Sequence, residues 1–410
     1  MGKPLSPPSP FYPTLTSTNY TMFYEFLIPL DQEKVLGDTP YRTSHIGSSI
    51  AFYEGKTLDL ESFDLAIVSI SENRGHPANR GVEDGHANIR RELYKLYTPA
   101  TERPFNIIDL GEIKIGANLK DSYFGLATVI LQLLTSKVIP IIIGGTHDMT
   151  FGQYLGYQEL YTLINMVVID ERIDMNEPDE EMDASSYLMP LLSHSPNYLF
   201  NYSHLGYQTY LNDHKAVDML ESLNFDCARL GMVRQNIEEV EPILRDADIL
   251  SIDVSAIRMA DAPGHVNASP NGFTGEELCQ ITRYAGLSDK LTSISISEYN
   301  PHYDNHNQTS QLIAQMIWYF IEGYYNRKGD MPANMDKFLK FTVKFEQHDH
   351  ELIFWKSKVT ERWWMELPYG DKKKYARHQM VPCSFADYEM ACKDELPDRW
   401  MKVYNKLMDA

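Results

Sequence analysis

Short apolar runs alternate with segments of helical periodicity from residue 63 onward, and this alternation limits the fold more than any other feature of the chain. Phe63–Ile70 (FDLAIVSI) and Phe105–Leu110 (FNIIDL) are branched, apolar and of strand length. Lys120–Lys137 carries apolar residues at helical spacing, and strand Val138–Ile143 follows at once. A helix to about Tyr161, strand Asn165–Asp170, strand Ala228–Val233, helix Ile237–Asp246 and strand Asp248–Val254 continue the pattern. Helix Thr274–Ala285 opens on a Thr with Glu277 three residues on, a capping-box signature. Leu291–Ser297 is the last strand and Ser310–Tyr325 the last helix of this region. Continuous apolar strands separated by helices predict a parallel sheet covered on both faces, an α/β body over residues 51–330.

The flanks differ. Residues 1–50 begin Pro-, Ser- and Thr-rich and run into the apolar Tyr20–Leu30, so they read as an arm packed on the body. Residues 331–410 hold Trp355, Trp363, Trp364 and Trp400 out of 5 tryptophans. Phe341–Phe345 and Leu352–Trp355 flank Gln347–His350 as strands flank a hairpin turn, which predicts an α+β C-terminal extension. Trp363-Trp364 is read as its anchor on the body, and any exposed aromatic surface as a contact for a protein partner.

The 37 Lys+Arg stand against 57 Asp+Glu, a net charge of −20. Phosphate backbones and anionic lipid repel such a chain, so nucleic-acid and membrane-surface roles are not expected. No apolar run approaches the roughly 20 residues that span a bilayer. The Pro-rich first residues lack the apolar stretch of a secretion signal. The 4 cysteines are widely spaced, without a CxxC pair, and read as free thiols. The expectation is a cytoplasmic protein.

Polar clusters fall at the carboxyl ends of the strands, where α/β proteins bind ligands. They are Gly144–Asp148 (GGTHD), Asp170–Asp174 (DERID), Ser251–Ser255 (SIDVS) and Ser297–Pro301 (SEYNP). His147, Asp170, Asp174 and Asp253 thus come from three different strand ends. One imidazole and three carboxylates make a hard, oxygen-rich set that suits Mn²⁺ or Mg²⁺ better than Zn²⁺ or Cu²⁺. Taken singly, each acid is more often a helix N-cap or a surface residue than a metal ligand.

In order and spacing these motifs resemble those of the ureohydrolase family, which includes arginase, agmatinase and formimidoylglutamase. Ile143–Asp148 resembles its GGxH motif, Asp170–Asp174 its DAHxD, and Ser251–Arg258 its SxDxDxxD. Ala262-Pro263-Gly264 and Gly272-Phe273-Thr274 resemble its PGxxxPxxGGLT stretch, and Glu298–Asp304 its EvNPxxD. Asn79-Arg80-Gly81 and Gly85–Arg90 resemble its substrate loop and GPxAIR segment. The similarity spans about residues 63–325 and leans towards formimidoylglutamase. It implies a three-layer α/β/α, arginase-like body, assembly as a trimer or hexamer, and a small cationic amidino or guanidino ligand. It also implies substrate contacts from Asn79, Arg80 and Glu298, with Glu298 receiving the cation.

The resemblance further implies two Mn²⁺ ions. His147, Asp170, Asp174 and Asp253 match the ligands of the first. The second needs a His and an Asp at positions held here by Arg172 and Ser255. Arg258 replaces a further acid, and no His stands near Ala184–Tyr187, where the family has a proton-shuttling histidine. The sequence therefore predicts at most one Mn²⁺, with a metal-free site favoured. The Arg172 guanidinium is expected in the place of the second ion, forked onto Asp170 and Asp253. Arg258 or protonated His147 would supply charge where no ion binds. The acid-rich stretch formed by Glu171 and Glu177–Asp183 is assigned to solvation. One ion beside a guanidinium activates water less well than two ions. The expected function is thus a pseudoenzyme, a binding, scaffold or regulatory protein that has lost dinuclear hydrolysis. The alternative is an active C–N hydrolase of formimidoylglutamase or agmatinase type with a single metal or rearranged site, in which Asp174 and Glu298 are catalytic.

Overall fold

The computed structural model describes residues 23–37, 41–177, 181–332, 335–345, 351–368 and 373–408. Ten strands make one sheet: β1 (Leu27–Ile28), β2 (Ala51–Phe52), β3 (Leu65–Ile70), β4 (Ile107–Ile113), β5 (Ile139–Ile143), β6 (Ile164–Ile169), β7 (Leu199–Tyr207), β8 (Asp226–Arg229), β9 (Ile249–Asp253) and β10 (Ser293–Ser297). The order is β1-β4-β3-β5-β10-β9-β6-β7-β8, with β2 also paired to β4. Every pairing is parallel except β1 on β4.

The central strands β3, β5, β6, β9 and β10 are buried at every position, which is why they read as unbroken apolar runs. Side chains alternate between the two faces. Ile67, Ile141, Ile169, Ile252 and Ile296 pack with Ile89, Leu278, Ile281, Ile313 and Ile317 of helices Gly85–Tyr94, Gly275–Leu287 and Gln308–Tyr325. Val68, Ile142 and Val168 pack on the other face with Leu126, Val129, Ile130 and Leu133 of helix Leu119–Thr135. This is the expected three-layer α/β/α body. The capping box at Thr274 forms: its hydroxyl accepts the Glu277 N–H (3.2 Å) and Glu277 Oε2 accepts the Thr274 N–H (2.8 Å).

Three elements differ from expectation. The segment read as strand Ala228–Val233 is β8 followed by a helix, Leu230–Gln235. As an edge strand β8 pairs on one side only, and Gly231 and Met232 find no second sheet partner. Between β6 and β8 lies a nine-residue strand, β7, in a stretch that reads as loop. The described part of the N-terminal arm is hydrogen-bonded into the sheet through β1 and β2 on β4. Gly111 makes room for this: its φ is +81°, and a Cβ there would sit 2.2 Å from the Ile28 carbonyl. Residues 1–22, and with them the start of Tyr20–Leu30, lie outside the described residues.

Residues beyond 335 form a second, antiparallel sheet of β11 (Phe338–Lys344), β12 (Glu351–Ser357), β13 (Trp363–Glu366) and β14 (Met380–Cys383), with helices Phe385–Cys392 and Asp398–Met408. The proposed hairpin tip at Gln347–His350 falls outside the described residues. Arg245 joins this extension to the body. Its guanidinium donates to the Trp363 and Cys383 carbonyls (3.0 Å each) and lies 4.3 Å over the Trp364 ring. Arg377 donates to the Leu163 carbonyl (2.9 Å) and to Asp248 (2.6 Å). Leu163 and Asp248 precede β6 and β9, so these contacts lie at the amino ends of the strands, opposite the polar clusters. Among the described residues no helix is long and apolar enough to cross a membrane.

His378 tests this docking. Its ring is buried, stacks 3.8 Å from that of Phe200, and has no hydrogen-bond partner on either nitrogen among the described residues. Burial first, then the charges of Lys290 and Arg377, hold its pKa well below the ordinary value. The unfolded chain therefore binds a proton near pH 6.5 that the folded chain refuses, and stability falls as pH drops below that value. His378→Phe keeps the stacking and removes the titration. Urea midpoints between pH 7 and pH 5 are expected to fall less steeply in the variant, by up to about 1.4 kcal/mol per pH unit. Identical slopes would assign the acid sensitivity to other groups.

Candidate active site

Five strands that are neighbours in the sheet, β3-β5-β10-β9-β6, deliver the polar residues from their carboxyl ends. The chain after β3 carries His76 and Asn79, that after β5 His147, and that after β10 Glu298. Asp253 ends β9, and Asp170 and Asp174 follow β6. Gly144 and Gly145 both have positive φ (85° and 76°), and the tight turn they make aims the His147 N–H at Glu298 Oε1 (2.8 Å). Glu298 itself sits at φ 68°, an uncommon conformation for a side-chain-bearing residue. It is held there on several sides. Its N–H donates to the Gly145 carbonyl (2.9 Å), while the Asn79 amide donates to both its carbonyl (2.9 Å) and Oε2 (2.8 Å).

The expected ligand set converges. His147 Nδ1 lies 2.9 Å from Asp174 Oδ2, 3.1 Å from Asp170 Oδ2 and 3.5 Å from Asp253 Oδ2, and all four side chains are buried. One N–H serves one acceptor well. Three carboxylate oxygens directed at a single nitrogen is the donor set of a hard divalent cation, so these residues fit an Mn²⁺ ion. Burial lowers the His147 pKa, but hydrogen bonds to Asp170 and Asp174 and the charge of Asp253 outweigh it and raise it well above the ordinary value. Burial and the neighbouring Asp170 push Asp174 up, and the same causes bring Asp253 to about 6.

The outer oxygens of the same acids are occupied. Asp170 Oδ1 accepts the Arg172 N–H (2.9 Å) and the Ser255 hydroxyl (3.1 Å), and Asp253 Oδ1 accepts the Ser255 N–H (2.6 Å). Asp170 Oδ1 and Asp253 Oδ1 are thus satisfied by donors of the chain itself. Two expectations are corrected here. The Arg172 guanidinium does not fork onto Asp170 and Asp253. It is 47% exposed, with Nη1 3.4 Å from the Leu211 carbonyl and Nε 3.7 Å from Glu171. Arg258 pairs with Asp261 (3.0 and 3.1 Å) instead of facing the cluster. A long charged side chain can reach solvent where the short hydroxyl of Ser255 already satisfies the acids.

Glu171 is the converse case. It is buried rather than solvating, bonded by the Gln208 amide (3.1 Å), and burial together with Asp170 brings its pKa to about 7. His204 is likewise buried beneath the site. The Tyr202 hydroxyl donates to its Nδ1 (2.9 Å) and its Nε2–H donates to the Asp170 carbonyl (3.2 Å), fixing the backbone where the first acid leaves β6. Nothing in its local sequence marked that role.

A second cluster adjoins the first. His76 Nδ1 is 2.8 Å and His265 Nε2 3.7 Å from Glu298 Oε2. Glu298 therefore has both oxygens engaged, and it is fully buried. Burial raises its pKa, but the neighbouring imidazoles of His265 and His76 more than reverse this and hold it below the usual carboxylate range. Asn79 is buried, its amide spent on Glu298 and its Oδ1 accepting from Val266 N–H (3.2 Å) and the Asn300 amide (3.0 Å). It supports Glu298 and offers no free group to a ligand. Arg80 on the same loop is exposed. His265 was not singled out in the sequence; its position just after Pro263-Gly264, inside a matched motif, was the available signal.

A three-layer α/β/α fold with an imidazole–carboxylate cluster at its strand ends defines the ureohydrolase class. The arginase family model matches residues 63–322, and the chain belongs to that family. It is 28% identical over 266 residues to formimidoylglutamase from Staphylococcus haemolyticus, covering 60% of this chain and 84% of the relative. In three dimensions it is similar to formiminoglutamase of Trypanosoma cruzi crystallised with Mn²⁺, at TM-score 0.62 and 17% identity, over 69% of this chain and 99% of that one. Formimidoylglutamase of Bacillus subtilis gives TM-score 0.63 and 18% identity over 71% and 95%.

Proposed function

We propose that this protein is a linear-amidine C–N hydrolase of formimidoylglutamase type that works with one Mn²⁺ ion. The observation that carries the reading is the convergence of His147 Nδ1 with the Oδ2 atoms of Asp170, Asp174 and Asp253, all within 3.5 Å of that nitrogen in a buried cluster. Ser255 stands against Asp170 and the Arg172 guanidinium faces outward, and both leave this set whole, so they do not argue for an inactive scaffold. A manganese-loaded site is favoured over a metal-free one for the same reason. When bound, the ion supplies a Lewis acid and a water of lowered pKa.

The chain's own residues do the rest. Ser255 and the Arg172 N–H fix the acids from outside, and the surplus of buried carboxylates favours a cationic amidine. Arg80, exposed on the loop after β3, is proposed to receive a carboxylate of the substrate by paired hydrogen bonds. The test is release of formamide and glutamate from N-formimidoyl-L-glutamate by protein loaded with Mn²⁺ and dialysed. Saturable turnover with one Mn²⁺ per chain is expected. Absence of turnover on this substrate and on agmatine, arginine and guanidinobutyrate would refute the reading.

A further inference from the structure

We propose that His76, carried by the loop after β3 and oriented by Glu298, is the proton-transfer group of this site. The proposal rests on the hydrolase reading. Besides His204, whose two nitrogens are spent on Tyr202 and the Asp170 carbonyl, three imidazoles surround the cluster, and the geometry gives them different tasks. His147 is buried, with Nδ1 directed at three carboxylates. His265 is buried too, and its Nδ1 accepts the Asn267 N–H (3.0 Å). That bond places the His265 proton on Nε2, which faces Glu298 Oε2 at 3.7 Å. A nitrogen carrying a proton is no metal ligand, so with this bond in place His265 offers no ligand atom beside His76 and Glu298.

His76 remains. Its Nδ1 donates to Glu298 Oε2 (2.8 Å), and its side chain is 23% exposed against 1% for His147 and 3% for His265. Glu298 cannot turn away, because the His147 N–H and the Asn79 amide hold it. A fixed carboxylate on Nδ1 sets the tautomer and leaves Nε2 to take up or give a proton, as in other carboxylate–imidazole pairs. The titratable groups that face His76 are Glu298, Asp253, Asp183 and the His265 ring, 5.8 Å away. Burial lowers its pKa, but the bond to Glu298 and the charges of the three acids outweigh that and raise it. Near Ala184–Tyr187 no group replaces it. Ser186 is buried and its hydroxyl donates to Asp183 (2.6 Å).

The proton balance is as follows. As water forms its bond to the amidinium carbon, one water proton passes to His76 Nε2. The imidazolium returns that proton to the departing nitrogen as the C–N bond breaks. The remaining hydroxyl proton passes to the departing amine, so the substituted amidinium and water become formamide and the ammonium form of glutamate, and His76 ends neutral.

Two measurements test this. His76→Ala is expected to lower kcat for glutamate and formamide release by roughly a hundredfold, with KM and Mn²⁺ content within about twofold of the parent and partial rescue by added imidazole. In ¹⁵N-histidine-labelled protein, His76 is expected as the Nδ1–H tautomer, and Glu298→Gln is expected to abolish that preference. Unchanged kcat in His76→Ala, or an Nε2–H tautomer in the parent, overturns the proposal alone. Loss of Mn²⁺ from His76→Ala also overturns it, by making His76 a ligand. A parent protein inactive on every linear amidine overturns the hydrolase reading and this proposal together.

Discussion

His147→Ala is expected to abolish Mn²⁺ binding and, with it, hydrolysis. His147 Nδ1 is the atom on which three acids converge, at 2.9, 3.1 and 3.5 Å. Its removal leaves Asp170, Asp174 and Asp253 buried at 2%, 7% and 6% exposure. The guanidinium groups of Arg172 and Arg258 are turned to other partners and cannot replace it. Carboxylates confined together cannot all stay ionised, and the parent already shows the tendency, with Asp253 raised to about 6 by burial and Asp170. The variant should take up protons in place of a cation. A Lewis acid contributes several kcal/mol at the transition state, so turnover should fall by roughly three to four decades. Thermal unfolding gives an independent readout. An ion that binds only the folded chain raises Tm with its concentration, so the parent should show a rising Tm in an Mn²⁺ titration and the variant a flat one. A variant that retains one equivalent of Mn²⁺ would show that the four-residue assignment is wrong.

Much of this site was legible because strand-end chemistry is local. GGTHD, DERID, SIDVS and SEYNP each follow an apolar run, and the parallel register of β5, β10, β9 and β6 places their polar residues side by side. What the sequence does not encode locally is which of two neighbouring side chains turns inward. In DERID the pattern sends Arg172 to the acids and Glu171 to water, and the structure reverses both. Burial decides that choice: Glu171 finds the Gln208 amide, contributed by the residue just beyond β7, a strand that reads as loop. His76 and Glu298 are 222 positions apart, and their bond depends on β3 and β10 both flanking β5. The extension illustrates the same limit. Its aromatic residues announce a packed unit, but its place at the amino ends of the strands depends on Arg245 and Arg377 meeting partners more than a hundred positions away.

The double replacement Arg172→His with Ser255→Asp is expected to raise Mn²⁺ content from one to two per chain. Position 255 faces the cluster, since the Ser255 hydroxyl reaches Asp170 Oδ1 at 3.1 Å. An aspartate there adds a carboxylate beside Asp170 and removes the hydroxyl that occupies that oxygen. Ser255→Asp alone buries a further negative charge with no new partner, which costs several kcal/mol unless a cation or proton compensates. The single variant should therefore lose stability in chelator and recover it in Mn²⁺. At position 172 the backbone already contacts Asp170, and only the guanidinium leaves the site. That departure follows from its charge and length. A neutral imidazole has less hydration to lose and a shorter reach, so it can turn inward once a second cation is there to ligate. Arg172→His alone should remain at one ion, because Ser255 still holds the acids. Metal analysis after dialysis distinguishes the cases. Two ions in the double variant and one in each single variant would identify Arg172 and Ser255 as the substitutions that make this member of the arginase family mononuclear. One ion throughout would mean that the backbone after β6 directs residue 172 outward whatever its side chain, placing the loss of the second ion in the loop rather than in the ligands.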